Sequence, residues 1–178
     1  MGLFVNIYEM EHRATIPPFS DLQEPRIQTT NYSAEEVVAT FNAILHSLDY
    51  QPMFEALGIG KYNVFRKKKA LRELQALSIS LWNLALQRSF PTDGETFFKN
   101  YMETVLPVKV GSKDATLFTA RVNTYNDLLH EKKENDFSPV AQYLADIFTN
   151  NEEASKRFTL KLSLLLRNLY TIIFDNLV

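Results

Sequence analysis

The residues with the clearest potential for chemistry are a glycine turn and the basic run that follows it. Gly58 and Gly60 flank Ile59, and Lys61 follows directly. Two glycines ahead of a helix amino terminus can leave backbone amides free to bind an anion. Lysine and arginine side chains would then balance the charge of a phosphate. The predicted anion or nucleic-acid site comprises Gly58, Gly60, Lys61, Arg66, Lys67, Lys68, Lys69 and Arg72.

This turn resembles the hairpin of helix-hairpin-helix DNA-binding modules. Those modules have a helix, a Gly-hydrophobic-Gly turn and a second helix with a small apolar residue four positions after the last glycine. Val64 stands at that position, where the family usually has alanine. The resemblance covers about 15 residues and implies DNA binding at the turn. The helix predicted to follow is longer than the second helix of the module. A Walker loop is excluded, because no Gly-Lys-Ser/Thr follows.

A structural explanation of the same residues competes with the binding site. The corner between two helices can carry solvated charge, and cations at a helix amino terminus oppose the helix dipole. Replacing Arg66, Lys67, Lys68 and Lys69 with glutamine is then expected to raise stability slightly. The chain has 19 basic and 21 acidic residues, and its net charge of −2 argues against a whole surface built for a polyanion. We favour the solvated corner and keep nucleic-acid or phosphate binding as the alternative.

Catalytic and metal-binding motifs find little support in the sequence. The absence of cysteine excludes disulfides, thiolate nucleophiles and iron–sulfur ligation. No Gly-x-Ser-x-Gly elbow is present. Asp127, His130, Glu131 and Glu134 lie at helical spacing, but they point away from the predicted buried stripe of their helix. We therefore expect solvated charge there, and no metal or cofactor.

Glycines and prolines divide the sequence into long segments with helical periodicity, which predicts an all-α bundle of about six helices. Ser33 and Glu36 form a capping box at the first helix start. The other predicted helices are a short one from Pro52 to Gly58, a long one over 62–88, one from Asp93 to Pro107, one from Ser112 or Asp114, one capped by Ser138 before Pro139, and a last one from Asn150 or Asn151.

Two of these helices are predicted to be central, because each is apolar on two sides. In the long helix, Ile79, Trp82 and Leu86 add a second apolar face to its leucine stripe. In the last helix, Leu160, Leu164 and Ile172 lie on a different side from the main stripe. Residues 1–32, with prolines at 17, 18 and 25, are predicted to form an extended N-terminal arm, and 33–178 the bundle domain.

The function predicted from these patterns is a non-catalytic protein–protein interaction or regulatory module, with self-association or another protein as partner. An enzyme whose site is assembled from scattered residues is a third hypothesis. The chain start lacks a basic stretch ahead of its apolar residues, and the longest uncharged run, Leu74 to Gln87, is too short to span a membrane. We expect a soluble cytoplasmic protein without membrane contact.

Overall fold

Eight α-helices, joined mostly by short turns, make up the part of the chain that the structure describes. The computed structural model describes residues 32–131 and 136–177, and no strand occurs in those ranges. The predicted all-α bundle is confirmed. The helices are α1 (Ala34–Ser47), α2 (Gln51–Ala56), α3 (Val64–Ser89), α4 (Gly94–Asn100), α5 (Leu106–Val110), α6 (Ser112–His130), α7 (Ser138–Phe148) and α8 (Glu152–Asp175). A π-helical turn, Tyr101–Val105, joins α4 to α5.

Local capping signals set several of these boundaries as predicted. The amide of Glu36 donates to Ser33 Oγ at 3.2 Å, and the amide of Ser33 donates to the Glu36 carboxylate at 2.9 Å. The amide and the hydroxyl of Ser33 both donate to the Glu36 carboxylate, and these two bonds lower the pKa of Glu36. Asn151 caps α8 by accepting from the amide of Ala154 at 3.1 Å. Each cap satisfies amides that a helix start leaves without a partner.

Two predicted boundaries were wrong. Pro107 does not end a helix, because the chain passes through the π-helical turn and Pro107 then lies in the first turn of α5. Proline is tolerated there, since an amide in the first turn needs no partner within the helix. Ser138 is the first residue of α7 rather than its cap, and Phe137 takes the cap position.

The long helix α3 is the centre of the bundle. It packs against α4, α6 and α8, and its residues from Ala76 to Asn83 are all buried. The indole of Trp82 stacks on Phe41 of α1, with ring centroids 4.2 Å apart, and meets Tyr101 edge-on at 5.1 Å. This aromatic cluster ties α1 and the π-helical turn to the central helix.

The last helix, α8, is covered on one side only within the described residues. Its main stripe is buried, as predicted, and includes Leu162, Leu166, Leu169 and Ile173. The second apolar side, which was predicted to pack against neighbours, is exposed at Leu160, Leu164 and Ile172. The predicted N-terminal arm lies outside the described residues except for Tyr32.

Candidate functional site

The turn at Gly58 closes the end of α2, and its amides are used within the fold. Gly58 adopts a left-handed φ of 66°. Its amide donates to the carbonyl of Glu55 at 3.1 Å, and the amide of Ile59 donates to that of Phe54 at 2.9 Å. This pair of bonds is the Schellman motif, which favours glycine because the left-handed conformation strains other residues. The amides of Gly58 and Ile59 are therefore not available to an anion.

Four of the predicted basic residues make contacts within the fold. Arg66 Nη2 donates to the carbonyl of Phe148 at 2.6 Å, and Lys69 Nζ reaches that of Ile147 at 3.5 Å. The ammonium of Lys67 lies 5.3 Å from the centre of the Phe54 ring. Arg72 pairs with Asp114 at 3.6 Å. Arg66 and Lys69 therefore contact the end of α7, Lys67 contacts α2, and Arg72 contacts the start of α6.

The remaining predicted cations belong to an exposed surface that also carries large apolar side chains. Tyr62 is 97% exposed and Phe65 is 89% exposed, which leaves both rings almost entirely in solvent. Gly60 is also exposed. We call this surface the aromatic–basic tip. It consists of Lys61, Tyr62, Val64, Phe65 and Lys68.

A buried carboxylate lies on the central helix. Glu73 is 2% exposed, accepts a hydrogen bond from the Tyr125 hydroxyl at 3.0 Å and forms an ion pair with Arg121. Burial raises the pKa of Tyr125, so its phenol stays protonated and donates to Glu73. A buried charge is tolerated only when it is paired and hydrogen-bonded. Glu73 meets both requirements through Arg121 and Tyr125, and these contacts join α3 to α6.

A cavity of about 210 Å³ opens between α1, α3, α5 and α6 beside the π-helical turn. Tyr101 lines it, is fully buried, and has a hydroxyl without a hydrogen-bond partner in the described part of the chain. A buried polar group without a partner costs about 1–3 kcal/mol. Lys109 and His46 also line the cavity. Lys109 donates to the Asn42 side chain at 2.6 Å, and partial burial lowers its pKa.

A third surface is the outer face of α8, which we define by six exposed residues on one side of the helix. Leu160 is 70% exposed, Leu164 57% and Ile172 48%. Spacings of four and seven residues place side chains on the same face of a helix. The outer face consists of Leu160, Lys161, Leu164, Asn168, Ile172 and Asp175.

Sequence reasoning missed Glu73 and Tyr101 as polar groups of interest. Glu73 stands four positions before Leu77 on the leucine-rich side of α3, so a charged residue at a core position was the available signal. Tyr101 lies in the core, but no sequence pattern indicates whether a buried hydroxyl will find a partner. That depends on contacts between distant segments.

The histidine of the predicted acidic and histidine cluster is the last residue of α6 and makes contacts within the fold. His130 Nδ1 donates to the carbonyl of Asn126 at 2.7 Å, and its Nε2 lies 3.3 Å from Gln87 Oε1. Glu134 lies outside the described residues. No group of three His, Asp or Glu side chains within 32–131 and 136–177 is arranged to hold a metal ion. None of the helices in these ranges is both long and apolar enough to cross a membrane.

Comparison with protein-family models, with curated proteins and with solved structures gives no match to this chain.

Proposed function

We propose that the protein is a non-catalytic interaction module that associates with a second copy of itself through the outer face of α8. The observation that supports this is the exposure of Leu160, Leu164 and Ile172 along one side of a 24-residue helix. Single exposed apolar residues are ordinary, but several large ones in a stripe along one helix usually mark a contact surface. Helices with such a stripe pair readily along it.

The outer face is complementary to itself when two α8 helices run antiparallel. A twofold axis beside Asn168 brings together residues equally far before and after that position. Leu164 of one copy then faces Ile172 of the second copy, and Lys161 faces Asp175 of the second copy. Twofold symmetry repeats each contact, so the pairing has apolar contacts on either side of the axis and opposite charges at both ends.

Asn168 lies on the axis itself, where it meets Asn168 of the second copy. A polar residue at the centre of an apolar seam fixes the register of helix pairing at some cost in stability. A stable interface buries about 800 Å² per partner, and one helix face supplies less than that. We therefore expect dimers at protein concentrations on the order of 100 µM, with dissociation on dilution.

Charge reversal tests the pairing directly. Lys161→Asp places two acidic residues opposite each other at both ends of the seam, and Asp175→Lys places two lysines there. Each single variant should sediment as a monomer at concentrations where the unmodified protein dimerises. The double variant restores opposite charges in reversed order, and we expect it to recover the dimer.

Leu164→Glu should also abolish association, while Val108→Glu serves as the matched control. Val108 is 84% exposed on α5, away from α8, so its replacement adds the same charge elsewhere. If the unmodified protein remains a monomer at millimolar concentration, the proposal is wrong. A dimer that survives Leu164→Glu but is lost on deletion of residues 1–30 would assign association to the N-terminal segment instead.

A second function, binding of single-stranded nucleic acid, is favoured by the aromatic–basic tip. Exposed rings at Tyr62 and Phe65 next to Lys61 and Lys68 match the combination of base stacking and phosphate neutralisation that such proteins use. Four of the predicted cations already have contacts within the fold, so fewer are available to the phosphates of a nucleic acid. These four are Arg66, Lys67, Lys69 and Arg72. Self-association is therefore our first proposal.

Titration with a fluorescent single-stranded oligonucleotide at low salt distinguishes this second function. Binding should weaken steeply as salt rises, because neutralised phosphates release counterions. Tyr62→Ser combined with Phe65→Ser should remove most of the affinity. Leu117→Ser, an exposed apolar residue on α6, is the control. Unchanged affinity in the double serine variant would exclude the tip as the binding surface.

A further inference from the structure

We infer that the cavity beside the π-helical turn is a binding site for a small carboxylate with an apolar body. Its volume is about 210 Å³, and it lies between α1, α3, α5 and α6. An apolar cavity of about 150 Å³ already accommodates benzene. The space beside Tyr101 is therefore large enough for a six-membered ring with a carboxylate attached.

The walls divide into an apolar and a polar part. Ile79, Leu106 and Phe118 supply apolar surface. The polar groups are His46, Gln75, Tyr101 and Lys109, and no acidic residue is among the described side chains that line the cavity. A ligand that satisfies both parts has a hydrocarbon body and one negatively charged head. Small-molecule sites typically combine apolar walls with a few polar groups in this way.

Lys109 is the cation that would meet the carboxylate. Its ammonium has three donors, and one of them is used by Asn42 Oδ1 at 2.6 Å. His46 donates from Nδ1 to the backbone carbonyl of Asn42 at 2.6 Å, which holds the imidazole at the rim. Asn42 thus orients both side chains and leaves donors on Lys109 for an anion.

Tyr101 supplies the second observation that points to a ligand. Its side chain is fully buried, and its hydroxyl has no partner within 32–131 and 136–177. A buried phenol almost always finds a hydrogen bond. Burial raises the pKa of Tyr101 to about 12, so the group is protonated at neutral pH and is a hydrogen-bond donor. The π-helical turn, a distortion often found at functional sites, places this tyrosine at the cavity.

Benzoate and its neutral analogue benzamide test the inference by isothermal titration and by NMR of the Ile79 methyl groups. We expect benzoate to bind the unmodified full-length protein with a dissociation constant on the order of 1 mM or tighter, and benzamide at least about tenfold more weakly. Lys109→Met should weaken benzoate about tenfold or more, because the charge is lost while the alkyl stem remains. Tyr101→Phe should weaken benzoate binding about threefold or more, because it removes the hydroxyl and keeps the buried ring.

Lys68→Met removes a lysine from the aromatic–basic tip and is the matched control, with unchanged benzoate affinity expected. Both cavity variants should remain folded, because Lys109 is exposed and phenylalanine preserves the packing of residue 101. Three results would overturn the inference. These are no change at Ile79 on addition of benzoate, equal affinity for benzamide, and full benzoate affinity in either cavity variant.

Discussion

Arg66 on α3 donates a hydrogen bond of 2.6 Å from Nη2 to the carbonyl oxygen of Phe148, the last residue of α7. Lys69, on the same side of α3, reaches the preceding carbonyl, that of Ile147. Carbonyl groups at a helix end lack partners within the helix and carry the negative end of its dipole. The two cations therefore join the start of the central helix to the end of α7.

This contact reverses the sign of one sequence-based expectation. The sequence predicts that joint replacement of Arg66, Lys67, Lys68 and Lys69 with glutamine raises stability slightly, by relieving like charges at the start of α3. We now expect Arg66→Gln to lower the free energy of unfolding by about 1 kcal/mol, since it removes a charge-assisted hydrogen bond that is partly exposed. Urea unfolding measures the change.

Lys68→Gln provides the control for Arg66→Gln, because Lys68 is exposed two positions further along the same helix. Arginine, lysine and glutamine have similar helix propensities, so the two substitutions differ mainly in the lost contact. Equal free energies of unfolding for the two variants would show that the bond to Phe148 contributes nothing.

The buried pair of Glu73 and Arg121 leads to a second prediction. Arg121→Met leaves the Glu73 carboxylate buried without its cation, and we expect a loss of about 3 kcal/mol in the free energy of unfolding. Adding Glu73→Gln removes the stranded charge but keeps an oxygen that can accept from Tyr125. The double variant should therefore be more stable than Arg121→Met alone.

A double-mutant cycle by chemical denaturation checks this order of stability. Glu73→Gln alone should lower the free energy of unfolding by less than Arg121→Met alone. The Arg121 side chain is 43% exposed and can be solvated without its partner, whereas the buried Glu73 carboxylate cannot. If the double variant is the least stable of the three, the destabilisation does not come from an unpaired carboxylate.

Gly94 carries a third prediction, which concerns close packing. A Cβ at this position would lie 2.6 Å from the carbonyl oxygen of Leu86, so the end of α3 and the start of α4 can approach only over a glycine. Because the clash is with backbone, Gly94→Ala should lower the free energy of unfolding by about 2 kcal/mol or more. Thermal unfolding followed by circular dichroism measures the loss.

Gly60→Ala is the matched control for this position. No atom lies within 4 Å of a Cβ built on Gly60, and its φ is outside the left-handed region. We expect it to be neutral or to stabilise by about 0.5 kcal/mol, since alanine restricts the unfolded chain. A loss at Gly60 equal to that at Gly94 would refute the packing explanation.

The parts of the fold that sequence predicted are those fixed by neighbouring residues. The Ser33–Glu36 capping box and the stop at Gly58 involve residues within a few positions of each other, so their types and spacing reveal them. The same holds for the start of α8 at Asn151. The π-helical turn was not predicted, because no residue pattern around Tyr101 distinguishes it from an α-helix.

The candidate sites depend on contacts across the chain and were therefore harder to predict. Arg66 and Phe148 are 82 positions apart, and Glu73 and Tyr125 are 52 apart. The basic run is evident in the sequence, but only the position of α7 shows that Arg66 and Lys69 have partners there. The apolar side of α8 was visible in the sequence, whereas its exposure was not.

The buried phenols of Tyr50 and Tyr101 lead to a fourth prediction, loss of stability at alkaline pH. Burial raises the pKa of each to about 12, against an ordinary value of 10. Between pH 10 and 12 the unfolded chain releases these protons while the folded protein retains them. The free energy of unfolding should therefore be unaffected by them below pH 10 and fall through this window, by about 1.4 kcal/mol per pH unit for each phenol.

Phenylalanine variants separate the two tyrosines. Tyr101→Phe removes a hydroxyl without a partner, so at pH 7 the free energy of unfolding should stay the same or rise. Tyr50→Phe loses the 2.9 Å hydrogen bond with Ser78 Oγ, and we expect it to cost about 1 kcal/mol at pH 7. Both variants should show a shallower decline in unfolding free energy between pH 10 and 12, because one proton fewer is released on unfolding. Urea titrations at several pH values, together with tyrosinate absorbance, measure both effects. An unchanged slope in Tyr101→Phe would mean that this phenol ionises in the folded protein as readily as in the unfolded chain.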